Sequence, residues 1–205
     1  MQVTDNNHPD PENIFVSAIL LAAGRSTRMA PVNKLTSDFG GKPLVRHAAE
    51  AAINSKAGEV LVVTGHDADA VSQALRGLDL RMIANPAFAE GLASSVKAGI
   101  AAVSPKAAGA VFLLGDMPRV TSDTVDALVD AFRQADGKKI CQPRHDGRPG
   151  NPILWPRDLF EEFTGLSGDV GAKPLLARHA DRVLGVDVDT GGIHMDVDAP
   201  ADLTT

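Results

Sequence analysis

Tyrosine is absent from the 205-residue chain, and its other aromatics amount to seven Phe and one Trp. So few rings exclude a base-stacking platform for single-stranded nucleic acid. A single cysteine, Cys141, excludes an internal disulfide framework and a cysteine-rich zinc site; it reads as an inert core thiol at the end of a strand. The longest apolar run, Ile14 to Ala23, contains Ser17 and falls far short of the about 20 residues that a membrane helix needs. Residues 1–13 carry no basic stretch followed by an apolar one. They are therefore expected to be a disordered extension without a secretory signal, on a cytoplasmic protein. Positive charge is also in deficit. With 20 Lys+Arg against 26 Asp+Glu, the net charge of −6 argues against nucleic acid or an anionic membrane as a partner.

What remains is ordinary globular composition, 44% apolar and 22% charged, at a length suited to one domain over residues 14–205. Apolar runs of strand length occur at 14–22, 59–65, 80–84, 109–115, 139–143, 152–155, 182–188 and 194–197. Segments of helical period lie between them. Pro43 stands at a first-turn position before the stripe Leu44, Val45, Ala48, Ala49, Ala52 and Ile53. Asp67 and Thr121 or Ser122 are candidate N-caps, and Pro156 is placed to open RDLFEEF. Near-continuous apolar strands alternating with helices predict a three-layer α/β/α sandwich around a Rossmann-like, mostly parallel sheet. Ligands of such sheets bind beyond the carboxyl ends of the strands. The loops to inspect are therefore LAAGRSTRM, TGHD, NPAFAEGLASS and GDMP.

The first loop has small residues, Ala22, Ala23 and Gly24, where a backbone can approach a ligand closely. Arg25, Arg28, Lys34, Lys42 and Arg46 follow against one acid, Asp38, so residues 24–46 carry +4 and the rest of the chain −10. A basic loop at the mouth of a parallel sheet suits a triphosphate; a solvated basic surface loop is the competing reading. No G-x-G-x-x-G follows a strand, and DFGGKP lacks the spacing and hydroxyl of a P-loop. Asp116, in GDMP, ends a buried strand, where a carboxylate is costly unless paired or bound to a cation. Asp196 and Asp198 lie two apart, on one face of an extended segment. Mg²⁺ is held by one or two carboxylates plus substrate phosphates. A turn role for Asp116 and a helix N-cap for Asp198 are the alternatives. His66, His145, His179 and His194 lack metal-ligand spacing, although His66 directly follows the second strand.

LAAGRSTRM, Lys34, GGKPLV, TGHD, NPAFAEGLASSVKAGI, GDMP, RPGNPILW, SGDVGA and DVDAPADL occur in the order seen in the MobA-like nucleotidyltransferases. Within that family the chain resembles the molybdenum cofactor cytidylyltransferases, from Ile14 to Leu203. The resemblance implies a nucleotidyltransferase-type fold, Mg²⁺ as cofactor, and CTP and a molybdopterin-type molecule as substrates, with a recipient molybdoenzyme beyond. Ala23 favours CTP, because LAAG marks the cytidylyl enzymes and LAGG the guanylyl ones. By the same resemblance Leu21, Ala22, Ala23, Gly24 and Arg25 hold the nucleotide, Arg28 and Lys34 its phosphates, and Gly65, Asn85, Gly91 and Ser95 its base and ribose side. Asp116 and Asp198 are implied metal ligands, with Arg28, Lys34 and Asp116 the catalytic set. Asn151 and Asp169, the latter also a candidate helix cap, border the acceptor. The chain departs from the family at Ala30-Pro31, where Gly often stands, and at Asn151, where cytidylyl members have a His; an amide neither gives nor takes a proton near neutral pH. Transfer to another phosphorylated acceptor (molybdopterin with GTP, a sugar phosphate, an isoprenoid or a phospholactate) and a non-catalytic cofactor-delivery role are the other functional readings.

Overall fold

The structure is a computed structural model that describes residues 13–24 and 33–204; most of the expected N-terminal extension, Arg25 and Arg28 lie outside the described residues. The strands are β1 (Val16–Ala22), β2 (Asp38–Phe39), β3 (Lys42–Pro43), β4 (Glu59–Thr64), β5 (Arg81–Ala84), β6 (Gly109–Leu114), β7 (Ile140–His145), β8 (Arg148–Pro149), β9 (Ile153–Pro156) and β10 (Val183–Asp187). The helices are α1 (Leu44–Ile53), α2 (Ala68–Ala74), α3 (Leu92–Ala102), α4 (Ser122–Gln134) and α5 (Lys173–Arg178). The main sheet runs β10-β7-β9-β6-β1-β4-β5, with β8 paired to β7, and β2 and β3 form a separate hairpin. All pairs within β6-β1-β4-β5 are parallel, as is β10 with β7, whereas β9 is antiparallel to both β6 and β7.

Alternation along β1 builds the three layers. Val16, Ala18, Leu20 and Ala22 face Val45, Ala48 and Ala49 of α1 and Leu128, Val129 and Phe132 of α4. Ile19 faces the opposite layer, where Ala93 and Val96 of α3 join Trp155, Phe160, Phe163 and Leu175. Covering both faces explains why these strands are apolar almost throughout. Cys141 is buried within β7, one residue after its start, and burial pushes its thiol up to about 12. No helix among the described residues is long and apolar enough to cross a membrane.

Three local expectations need correction. Residues 194–197 are not a strand: a 3₁₀ turn over Gly191–His194, opened by the Thr190 side chain accepting from the Gly192 amide, bends the chain there. Asp196 is accordingly exposed rather than paired with Asp198 on a strand face. Asp67 stands before α2 in the left-handed conformation, φ 51°, and its side chain does not cap the helix; its carboxylate lies 3.4 Å from Asn33 Nδ2 instead. Asp169 caps no helix of its own, because α5 begins only at Lys173. Thr121, by contrast, caps α4 as expected, its Oγ1 accepting the Thr124 amide at 3.3 Å. Thr121→Ala should lower stability by about 1 kcal/mol, a fall in Tm of roughly 2–4 °C for a chain of this size, while Thr121→Ser retains the wild-type value. Thermal unfolding of the two variants measures both.

Candidate active site

The chain runs from β1 towards β4 on one side, then returns to lay β6 against the other edge of β1. Loops leaving the ends of β1 and β6 therefore diverge, which opens a crevice at a topological switch point. A cavity of about 620 Å³ lies there, lined from β1 and its loop by Leu21, Ala23 and Gly24 and from β6 by Leu114, Gly115 and Asp116. Lys34 and Leu35 form a third side. Phe88, Glu90, Gly91, Leu92, Ser95 and Asp169 close the fourth.

Lys34 is positioned by the turn it begins. Asn33 Oδ1 accepts the Leu35 amide at 3.0 Å, starting the 3₁₀ turn Lys34–Thr36, and Leu35 buries its side chain in the core. The ammonium then donates to Asp116 Oδ2 at 2.7 Å, the Val197 carbonyl at 2.9 Å and Asp198 Oδ1 at 3.2 Å. Val197 carries the last two: its side chain is buried with Phe39 and Leu44, and its amide donates to the Asp116 carbonyl at 2.9 Å. Asp202 fixes the succeeding turn by accepting the Asp198 and Ala199 amides at 3.0 and 2.8 Å. Asp202 thus receives the Asp198 and Ala199 amides at this turn, and the Asp198 carboxylate reaches Lys34.

Burial of the Lys34 side chain, which is 16% exposed, lowers its pKa, yet the charge of Asp116 and the hydrogen bonds that Lys34 donates to Asp116 and Asp198 outweigh that and raise it above 10.5. Lys34 is therefore an ammonium throughout the neutral range. Lys42 and Arg46 of the same basic segment both pair with Glu50 of α1, so their charge is spent outside the cavity.

The opposite wall is shaped by close contacts. A Cβ on Gly65 would come within 2.4 Å of Phe88 Cβ and 3.1 Å of Ala23 Cβ, so only glycine lets Phe88 lie over the end of β1. Asn85 is buried and fully engaged: its Nδ2 donates to Ser94 Oγ at 2.9 Å and Ser95 Oγ at 3.1 Å, and its Oδ1 accepts the Ala87 amide. Asn85 thereby orients Ser95, which lines the cavity, without lining it itself. Gly91, at φ 100°, opens α3 in a conformation that other residues rarely adopt. Gly168 and Asp169 dock directly on it: the Ala93 amide donates to the Gly168 carbonyl at 3.1 Å and the Leu92 amide to Asp169 Oδ1 at 3.3 Å.

Of the residues singled out in the sequence, Leu21, Ala23, Gly24, Lys34, Gly91, Ser95, Asp116 and Asp169 meet around this cavity. Asp198 reaches it through Lys34. Gly65 and Asn85 stand behind its wall, Ala22 is packed in the core on the other face of β1, and Asn151 lies off the cavity with its amide donated to the Ile193 carbonyl. His66 sits beside Phe88, ring centroids 6.0 Å apart. Sequence reasoning misses Leu35, Phe88 and Leu114, since apolar residues in such runs read as core, and it also misses Glu90; the NPAFAEG loop placed after a strand is the available signal for Phe88 and Glu90.

Lys34→Met should cost about 1–3 kcal/mol at pH 7 by leaving two partly buried carboxylates facing each other. Because the folded pKa of Lys34 is raised, the wild-type advantage is complete below 10.5 and fades only as pH rises through the folded value. Denaturant unfolding of both proteins from pH 7 to 11 measures this; a difference that shrinks between pH 7 and 9 contradicts a protonated, paired Lys34.

Comparison with known proteins identifies the family and the fold. The MobA-like NTP transferase domain family matches residues 18–183. Nicotine blue oxidoreductase from Paenarthrobacter nicotinovorans is 30% identical over 189 residues, which cover 85% of this chain and 92% of that protein. Bifunctional protein GlmU from Cereibacter sphaeroides is 33% identical over 117 residues, 56% of this chain, and the matched part spans only 26% of GlmU. Among solved structures, the Rv0371c homologue from Mycobacterium sp. strain JC1 superimposes with a TM-score of 0.80 at 27% identity, covering 92% of this chain and 93% of that one. Rv0371c of Mycobacterium tuberculosis H37Rv in complex with manganese gives 0.72 at 26% identity, covering 93% and 96%. The family match over most of the chain, joined by a relative aligned along nearly its whole length, makes this protein a member of the MobA-like NTP transferase domain family, with the α/β fold of nucleotidyltransferases.

Proposed function

We propose that the chain is a cytoplasmic, divalent-metal-dependent cytidylyltransferase that transfers CMP from CTP to molybdenum-bearing molybdopterin, releasing pyrophosphate. The observation that carries this reading is the convergence of Lys34, Asp116 and Asp198 at the mouth of the β1/β6 cavity. Two carboxylate oxygens within 3.2 Å of one cationic nitrogen form a cation-binding pair, and oxygen donors suit Mg²⁺. Among the described residues no group of three or more His, Cys, Asp or Glu is gathered to hold a metal, and Mg²⁺ commonly draws its further ligands from substrate phosphates and water. The manganese complex of the related Rv0371c supports a divalent ion at this fold. Asp116 and Asp198 would hold Mg²⁺, which when bound neutralises charge on the reacting phosphate and the departing pyrophosphate.

The chain's own residues supply position and charge. Ala23 and Gly24 leave room for the nucleotide along the end of β1, and Phe88 and Ser95 bound it opposite. Lys34, fixed in its charged form, faces the phosphates. A phosphate oxygen of the acceptor attacks the α-phosphorus; the new P–O bond forms as the bond to the β-phosphate oxygen breaks and pyrophosphate leaves. That nucleophile is already ionised at neutral pH, so no protein base is required, and positioning with charge stabilisation carries the rate. The Ala23 of LAAG supports CTP, and the molybdopterin acceptor rests on the resemblance of the motifs as a set; a molybdoenzyme would receive the product.

A second reading, an oxidoreductase, is favoured by the similarity to nicotine blue oxidoreductase along 92% of that protein. Pyrophosphate release measured with each nucleoside triphosphate and Mg²⁺, with and without molybdenum-loaded molybdopterin, separates the two. CTP with the acceptor should give turnover at least about tenfold above GTP. Equal use of both sinks the base assignment, and turnover of nicotine blue without pyrophosphate release replaces the reading altogether. Asp116→Asn should lower kcat by about 10²–10³ with the fold intact by circular dichroism; near-normal turnover removes Asp116 from the metal-holding pair.

A further inference from the structure

We infer that the Lys34 ammonium is a built-in stand-in for the metal: it clamps Asp116 and Asp198 in the free protein and must leave them before a divalent cation binds there. This rests on the carboxylate pair proposed above as metal-holding. Three oxygens from two distant parts of the chain, Asp116 Oδ2 and, from adjacent residues, the Val197 carbonyl and Asp198 Oδ1, converge on Nζ at 2.7, 2.9 and 3.2 Å. An ammonium has three donors and no acceptor, so it fills the point from which both carboxylates are reached. A divalent ion bridging the same oxygens would approach them to about 2.0–2.1 Å. The two cations would then sit within contact distance in a partly buried site, where like charges repel strongly. Occupation by one excludes the other.

Exclusion has a reason and a consequence. Without a cation between them, two carboxylates that are 23% and 45% exposed would face each other as like charges. Lys34 prevents this before substrate arrives. Its side chain also lines the cavity, so a displaced ammonium remains beside the nucleotide. A triphosphate gives it a new anionic partner. Metal and triphosphate therefore bind cooperatively through one lysine that moves from carboxylates to phosphate, and the free protein resists metal alone.

Mn²⁺ binding to the full chain without nucleotide, followed by the electron paramagnetic resonance of free Mn²⁺, tests this directly. Lys34→Met should bind Mn²⁺ at least about tenfold more tightly than wild type, and Mg²⁺ should raise its Tm more than that of wild type. Lys42→Met removes the same charge from the same connection without touching Asp116 or Asp198, and should leave Mn²⁺ affinity within about twofold. A non-hydrolysable CTP analogue should tighten Mn²⁺ binding to wild type. Equal or weaker Mn²⁺ binding by Lys34→Met, or an equal gain in Lys42→Met, overturns the displacement. Should Lys34→Met fail to fold, the Lys34 ammonium resonance of wild type serves: it should move towards the free-lysine position on adding Mg²⁺, and an unmoved resonance with Mg²⁺ bound overturns the inference. None of these readouts uses turnover, so a failure to release pyrophosphate from CTP would overturn the cytidylyl reading separately.

Discussion

One ammonium group ties together segments that are 82 and 164 residues apart in the chain. Lys34 comes from the connection after β1, Asp116 from the end of β6 and Asp198 from the last turn. None of these segments is held by the others through strand pairing at this point. The hydrogen bonds from Nζ, together with the Val197 amide donating to the Asp116 carbonyl, convert three loop ends into one surface, and Leu35 and Val197 make that possible by anchoring each end in apolar contacts. The arrangement is a charged network with an apolar foundation. Its polar part gives direction and its buried part gives rigidity.

The wall facing this cluster is built differently. Its contacts are largely steric: glycine at 65 lets Phe88 descend, and the Asn85 side chain is spent on Ser94 and Ser95 of α3 and on the Ala87 amide. Within the cavity Lys34 and Asp116, with Asp198 linked to them, stand at one side, while the other side combines Phe88, Leu92 and Ser95 with the acids Glu90 and Asp169.

The legibility of this fold in the sequence depends on where the forces act. Strands β1, β4 and β6 are visible because both faces are covered and their residues are apolar almost throughout. Residues 194–197 resemble a strand by alternation, yet Thr190 and the 3₁₀ turn dictate a bend that no two-residue period reveals. Asp169 reads as the cap of the helix following it; its actual partner is the Leu92 amide, 77 residues earlier, and contacts of that range leave no local signature. Asp116, Lys34 and Asp198 are legible as charges at strand and loop ends. Their mutual geometry is not, since it depends on burying Leu35 and Val197. Phe88 and Leu35 escape notice for the opposite reason: an apolar side chain at a cavity mouth is written in the same alphabet as the core.

The position of Asp198 separates completion of the sheet from completion of the charged cluster. Among the described residues the last strand of the sheet ends at Asp187, and the family match ends at residue 183. All the strands can therefore pair before one carboxylate of the cluster is seated. Lys34 and Asp116 would meet first, and Asp198 would join only when Val197 seats beside Phe39 and Leu44. The charged site can thus mature after the sheet, and a fold complete by every spectroscopic measure of its sheet would still be chemically unfinished.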